Sequence, residues 1–506
     1  MKRALKIAAV VLILAVAVLL LLPPFIDLGY YKARYLPLVE EALQRKVDVG
    51  EVRLRILPSP AIRFSRLNIS DDPAFSTRVF FTARQMSLRL KLGPLLRGRF
   101  QVDEFVLEKP VANLVKRTDG TFNFADLGQK KGEREKKKAS AEEKNPKTGA
   151  PVRLSELVPA RVRIEDGEVT LQSNDQKPLK VQGIDLSIED FSTGQSFPYR
   201  AALRLPGLKP VVLEGLANYS ESEASFSLKE NHLKVQGVDF AVNGAVTRLT
   251  AAPQADLAVS NETFESKPIF QLLSETGLMP KGLEISGPMG LRVSVKGPFD
   301  RLTASANIDL KKLQVNDPRA FKGVLTGKVQ LSLPLGGKAP VAQLLQGSGK
   351  VTARDGVLTN VDVLSKIQLL TGIIGVPGDQ SRGATTFKSL ESDFTLGGEI
   401  VEFQRLFLTS PLLEARGGGK MALFPPSLDL SIETALSPEI SARAGSGKAA
   451  TFFKDDQGRL VTPLKVRGAA NRPSVDLDKE KLVRKGVGQF LERGPGQLFE
   501  RFFKKK

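Results

Sequence analysis

A mainly β fold behind a single membrane-spanning helix is what this sequence predicts, and three observations predict it. Apolar and polar residues alternate with period two over much of residues 47–476. Glycine, proline, asparagine and aspartate interrupt that alternation at short intervals. One unbroken apolar run, Ile7 to Leu22, stands near the N-terminus. Period two places successive side chains on opposite faces of a strand, so each strand carries one apolar and one polar face, the signature of half-buried antiparallel sheet.

The N-terminal run is apolar all round, as Ile7, Leu12, Leu14, Leu19 and Leu22 illustrate, and Ala4, Leu5, Phe25 and Ile26 extend it. It reaches the ~20 residues that a bilayer-spanning helix needs. Lys2, Arg3 and Lys6 precede it and place the N-terminus in the cytoplasm, with the rest of the chain across the membrane. Pro23-Pro24 follows where a cleavable leader would carry small residues, so residues 1–26 read as an uncleaved single-pass anchor.

Residues 27–127 read as an α+β segment. Ala33 to Lys46 has helical spacing at Leu36, Val39, Glu40 and Leu43, with Pro37 placing the start near Leu36. Alternating runs follow at Val52, Leu54 and Ile56, at Ile62 and Phe64, at Leu88 and Leu90, and at Phe105 and Leu107. Residues 128–150 carry lysine, glutamate and arginine with no apolar anchor and read as a charged linker or large loop.

Strands resume over a middle region, 151–340, and a C-terminal region, 341–476. The clearest apolar faces are Ile184, Leu186 and Ile188; Val238, Phe240 and Val242; Leu291, Val293 and Val295; Val329, Leu331 and Leu333; Phe394 and Leu396; and Phe403, Leu406 and Leu408. Short helical insertions are expected at Ile269–Leu278, Val341–Gln346 and Val361–Ile374. A weak repeat runs through these regions. Leu213-Glu214-Gly215, Val242-Asn243-Gly244, Val295-Lys296-Gly297 and Val466-Arg467-Gly468 each read as a strand ending at glycine, as stacked hairpins require. Residues 477–506 have the pattern of a basic amphipathic helix. Its Phe499, Phe502 and Phe503, with Lys504, Lys505 and Lys506, suit an anionic bilayer surface or a cap on the sheet.

Composition narrows the function. There is no cysteine, which removes disulfides, thiolate metal sites and cysteine nucleophiles. His232 is the only histidine, so a multi-histidine metal site is impossible; it reads as an exposed strand or turn residue. The acidic pairs Asp71-Asp72 and Glu165-Asp166 precede proline or glycine and read as turn residues rather than a hydrolytic pair. No nucleophile motif or phosphate loop stands out, so neither an enzyme nor a cofactor is expected. The net charge of +19 is spread along the chain, tryptophan is absent and tyrosine numbers 5. Nucleic-acid binding pairs its charge with aromatic platforms or a recognition helix; here the charge fits an anionic membrane surface or general solubility.

The sequence resembles the AsmA family of bacterial envelope proteins. The stretches that carry the resemblance are Phe25-Ile26-Asp27 after the anchor, Glu40 to Gly50 as a helix-to-strand junction, and Pro110 to Leu114 with Asp119 to Leu127 as a closing segment. Towards the C-terminus they are Gly347 to Val357, Phe387 to Leu408, Ser410-Pro411 with Gly417 to Gly419, and Pro463 to Gly468 with Pro473. The resemblance implies an inner-membrane-anchored protein with its bulk in the periplasm, tied to outer-membrane assembly and integrity. Larger relatives look like bridge-like lipid-transfer proteins with a long curled sheet.

Two arrangements satisfy the alternation. A second sheet could cover the apolar face and make a β-sandwich core, or the sheet could curl and leave that face as a groove. Pattern alone leans to the sandwich; the resemblance turns the expectation to an open or partly closed groove that binds or transfers phospholipid. The alternative is a periplasmic scaffold that aids outer-membrane protein assembly without carrying lipid.

Overall fold

A computed structural model of the chain describes residues 32–481 apart from 56–58, 74, 77, 98–100, 117–121, 125–158, 174–177, 206–207, 250–251, 276–278, 281, 336–339, 362, 364–366, 368–382 and 444–453. The expected anchor, the linker at 128–150, most of the helix expected at Val361–Ile374 and the basic C-terminal helix beyond residue 481 lie outside the described residues. Among the described residues no helix is long and apolar enough to cross a membrane. The chain divides into two compact units, between Gln254 and Ala255.

The first unit opens with α1 (Lys32–Leu43) and continues through β1 (Val47–Asp48), β2 (Val52–Arg55), β3 (Ala61–Ser70), β4 (Val79–Leu90), the one-turn α2 (Leu92–Leu96), β5 (Val102–Glu108) and β6 (Val111–Lys116). Then come β7 (Arg161–Ser173), β8 (Leu179–Ile188), β9 (Ser196–Arg204), β10 (Val211–Ser220), β11 (Ser225–Val235) and β12 (Val238–Thr247). Helix α1 begins four residues ahead of Leu36 and carries Pro37 inside it. Its first residue is tied down instead, because Lys32 Nζ donates to Val49 O at 2.7 Å and also to Gly50 O. Leu36 and Leu43 pack on Val47, Val49, Val52, Leu67, Ala83 and Leu107, which form this unit's buried cluster.

The expectation of a purely antiparallel sheet needs correction here. β5 and β6 both run parallel to β7. A long connection between β6 and β7, residues 117–160, permits this, as parallel neighbours need a crossover rather than a hairpin. Side-chain alternation is the same in both directions, so the pattern carries no sign of it. The remaining pairs, β7 through β12, are antiparallel meander.

The second unit holds β13 (Gln254–Glu265), α3 (Lys267–Glu275), β14 (Glu284–Ser286), β15 (Pro288–Pro298), β16 (Thr303–Asp317), β17 (Phe321–Pro334), α4 (Val341–Leu344) and β18 (Gln346–Thr359). It continues with β19 (Ala384–Gly397), β20 (Ile400–Thr409), β21 (Leu413–Leu423), β22 (Pro426–Leu436), α5 (Pro438–Arg443), β23 (Val461–Ala469) and β24 (Ser474–Leu477). From β15 to β24 each strand pairs antiparallel with the next. The helices expected at Ile269–Leu278 and Val341–Gln346 are present as α3 and α4.

The glycine-ended repeat is only half right. Gly297 and Gly468 sit at strand ends, whereas Gly215 and Gly244 lie inside β10 and β12. Gly215, at φ +153°, faces Asn231 so closely that a Cβ there would collide with the asparagine side chain. Its glycine serves a β-bulge beside a buried polar residue, not a turn.

Candidate apolar binding face

Register in an antiparallel sheet fixes which residues share a face, because directly opposed residues point the same way. In the second unit Leu291, Val293 and Val295 oppose Ile308, Ala306 and Ala304. Those three oppose Val329, Leu331 and Leu333 in turn. Val329 and Leu331 oppose Gly349 and Gly347, which oppose Phe394 and Leu396. Phe394 opposes Phe403, Ser392 opposes Leu406, and Leu390 opposes Leu408. The odd spacing between Phe403 and Leu406 is absorbed by a bulge in β20, which returns Leu406 to the face of Phe403. All the apolar candidates of this unit therefore lie on one face, which continues through Ala415, Ile432, Leu464 and Val475 on β21 to β24.

That face is fully buried along one rim and half-buried elsewhere. Across one rim Ala353, Phe387, Leu408, Leu413, Leu436 and Leu464 are buried beneath Ile367, Ile440 and Leu460 from the connections at that rim. Leu436, Leu464 and Ile367 are each 1% exposed. Away from it, Leu291, Val293, Val295, Val329, Leu331, Leu333, Phe394, Leu396, Phe403 and Leu406 are only half-buried. A sandwich core would bury such inward side chains fully. Every strand described in this unit belongs to one continuous sheet. The opposite face bears Arg292, Lys328, Lys350, Glu391, Arg405 and Lys465, with surface ion pairs such as Arg405–Glu391 at 2.7 Å and Arg467–Asp429 at 3.2 Å.

Glycine and phenylalanine pair across strands on this face. A Cβ on Gly349 would stand 2.5 Å from Phe394 Cζ, and one on Gly356 would strike the ring of Phe387. Each ring thus lies over a glycine on the neighbouring strand. Phe394 meets Phe403 edge-on, with centroids 6.3 Å apart, and Phe387 stacks on Phe321 at 6.1 Å.

The first unit carries a comparable row. Leu186 opposes Ile164 and Ala201, Ala201 opposes Leu213, Leu213 opposes Leu233, and Leu233 opposes Phe240. Ile188 opposes Val162 and Tyr199, and Ile184 opposes Gly167. Ile184, Leu186 and Ile188 are half-buried, whereas Val238, Phe240 and Val242 are buried. Two polar groups interrupt the row. Burial pushes the Tyr199 phenol up, and its hydroxyl has no hydrogen-bond partner among the described residues. Asn231, 1% exposed, donates to Leu216 O at 3.1 Å and Lys229 O at 2.8 Å from within the β11 bulge. On the polar face Glu214 accepts from Lys234 at 2.6 Å and from Arg200. The Lys234 hydrogen bond, with the Arg200 charge, holds Glu214 below the usual carboxylate range despite the opposing effect of burial.

The residues considered for catalysis occupy ordinary places. His232 is exposed on β11, 3.1 Å from Asp239. Glu165 and Asp166 lie exposed in β7 at a bulge. Asp71 lies in the β3–β4 turn, but it is buried there and accepts from Asn123 Nδ2 at 3.0 Å. Asn123, itself buried, also donates to Asn113 O and accepts from Val115 N, and its own carbonyl accepts from Arg45 at 2.9 Å. This network pins the Phe122-to-Phe124 stretch against β6 and the β3–β4 turn. A cleft of about 430 Å³ on the polar side of β15–β17 mixes Arg292, Lys311 and Lys328 with Asp309 and Glu262. Among the described residues no group of three or more His, Cys, Asp or Glu could hold a metal ion.

No curated protein and no solved structure matches the chain. The family model for the AsmA family matches residues 1–273, from the N-terminal run through β1–β13 to α3, just over half of the 506 residues. The stretches from Gly347 to Pro473 that resemble the same family lie beyond the matched segment. The sheet of the first unit, with its apolar face and its Asn123 network, lies inside it: the chain belongs to the AsmA family.

Proposed function

We propose that this chain is an inner-membrane-anchored, periplasmic lipid-binding protein that holds or transfers phospholipid acyl chains on the apolar face of its sheet and so supports the outer membrane. Family membership and the large β fold fit an envelope-associated protein. One observation carries the finer reading: the continuous apolar face from Leu291 to Leu406 is left half-buried along one continuous sheet. An acyl chain of about 15 methylenes costs on the order of 12 kcal/mol to expose to water, at ~0.8 kcal/mol per methylene. A surface that travels with the chain removes most of that cost. In this reading the glycines opposite Phe394 and Phe387 keep the face smooth, and the ionic opposite face keeps the sheet soluble. The residues act by binding rather than by covalent chemistry, with phospholipid and the inner membrane as partners.

Native mass spectrometry of the full chain, released gently from its membrane, tests this. Phospholipid adducts that disappear from a Val293→Asp/Leu331→Asp variant are expected. A lipid-free chain that instead carries an outer-membrane assembly protein would favour the scaffold reading.

A further inference from the structure

Among the described residues of the second unit, the large apolar side chains that stand well exposed are Phe299 (54%), Leu335 (36%), Val341 (63%), Ile400 (48%) and Phe424 (66%). All five lie on one rim. In an antiparallel meander alternate connections share an end; Phe299, Leu335, Val341 and Phe424 occupy the β15–β16, β17–β18 and β21–β22 connections, and Ile400 opens β20 after the β19–β20 turn. Backbone hydrogen bonds link the successive tips: Leu335 N to Leu302 O at 2.7 Å, Gly398 N to Leu345 O at 2.8 Å, and Leu423 N to Glu399 O at 2.8 Å. The other rim is the one sealed by Ile367, Ile440 and Leu460.

We infer that this rim is a membrane-contact edge, whose tips enter the interface of a phospholipid bilayer and bring the open end of the apolar face to the lipid. This rests on the lipid-binding reading of the face. Strand spacing separates neighbouring tips by about 10 Å. Two of the tips carry charged neighbours, Asp300 and Arg301 after Phe299 and Glu399 before Ile400. Such isolated projections do not form the contiguous dry core that a protein interface needs. A fluid lipid interface accepts each one separately. The rim is also where the apolar face runs out unsealed. Val295, Leu333 and Leu396, all half-buried, lie in or near the last residues of their strands before it. An acyl chain leaving a bilayer there meets apolar surface at once.

The chain has no cysteine, so a single introduced thiol is labelled without background. Full-length Phe424→Cys, Ile400→Cys and, on the sealed rim, Gln457→Cys would each carry an environment-sensitive fluorophore. Each would be placed with phosphatidylethanolamine–phosphatidylglycerol vesicles whose acyl chains are brominated. Quenching at Phe424→Cys and Ile400→Cys at least about twofold greater than at Gln457→Cys is expected. No quenching at the tips, as a protein partner there would give, or equal quenching on both rims overturns the inference. A Phe299→Asp/Phe424→Asp variant separates the two readings. It should keep its bound phospholipid but exchange it with vesicles several-fold more slowly. Loss of lipid from the unaltered chain would remove the binding face while leaving the quenching result to stand.

Discussion

Gly349 and Phe394 face one another across β18 and β19, and the aromatic ring occupies the space a Cβ on the glycine would need, with Cζ 2.5 Å from that position. Phe403 meets the same ring edge-on, with centroids 6.3 Å apart. Gly349→Ala should therefore destabilise the second unit by about 1–3 kcal/mol, the range for overpacking. In a Phe394→Ala background the same change should become neutral or stabilising by about 0.5–1 kcal/mol, because alanine is less flexible than glycine in a strand. Denaturant titration of the four chains reads this change of sign.

The two ends of the apolar face should respond differently to charge. Leu464→Asp places a carboxylate at a site that is 1% exposed, with no partner, and should prevent the second unit from folding. Leu331→Asp, at a half-buried position, should cost no more than about 1–2 kcal/mol. Circular dichroism melting distinguishes them; equal damage at both sites would mean that the face is an ordinary core.

Much of this face was legible in the sequence, because period-two alternation converts directly into sidedness once strands are paired. Leu291 to Val295 and Val329 to Leu333 needed nothing else. Three features were hidden. The parallel pairing of β5 and β6 with β7 depends on a crossover, and alternation does not record strand direction. The bulge that restores Leu406 to the face of Phe403 breaks period two by one residue and is recognised only against its neighbour strand. Asp71 and Asn123 are 52 residues apart, and their contact follows from tertiary placement. Asp71-Asp72 before Pro73 has the composition of a solvated turn, and only the buried Asn123 opposite explains why Asp71 is not one. The glycines opposite Phe387 and Phe394 left a trace, a run of Gly347, Gly349 and Gly356 in an alternating strand, where glycine signals close approach of a neighbour.

The Asn123 network makes its own prediction. Asn123→Ala removes a donor to Asp71 and to Asn113 O and leaves Val115 N without its side-chain acceptor. A loss of about 2–4 kcal/mol in the first unit is expected, since buried polar groups would be left unsatisfied. Phe124→Ala, at an exposed neighbour, should cost much less. Urea unfolding of both variants, with limited proteolysis near residue 123, checks the contrast.

Acid should weaken the first unit through Glu214 and Glu168, both held below the usual carboxylate range, by Lys234 and by Lys180 respectively as the first cause. A carboxyl whose folded pKa is depressed contributes stability that is complete above its unfolded value, near 4.3, and is lost as pH falls through the folded value. The melting temperature of the full chain should therefore begin to fall below about pH 4. A Glu214→Gln/Glu168→Gln variant should be less stable at neutral pH and show a shallower acid slope. Both carboxylates are on the surface, so the effect is modest and should shrink with added salt.

The most direct test places a photocrosslinking amino acid at alternate positions along three strands, Val293, Leu331 and Leu396 on the apolar face and Arg292, Gln330 and Thr395 on the polar face, and recovers crosslinked phospholipid from the membrane-bound protein. Lipid attached at the first three positions and absent from the second three is the expected result. Lipid captured on both faces alike, or on neither, would contradict the claim that this sheet carries acyl chains on its half-buried side.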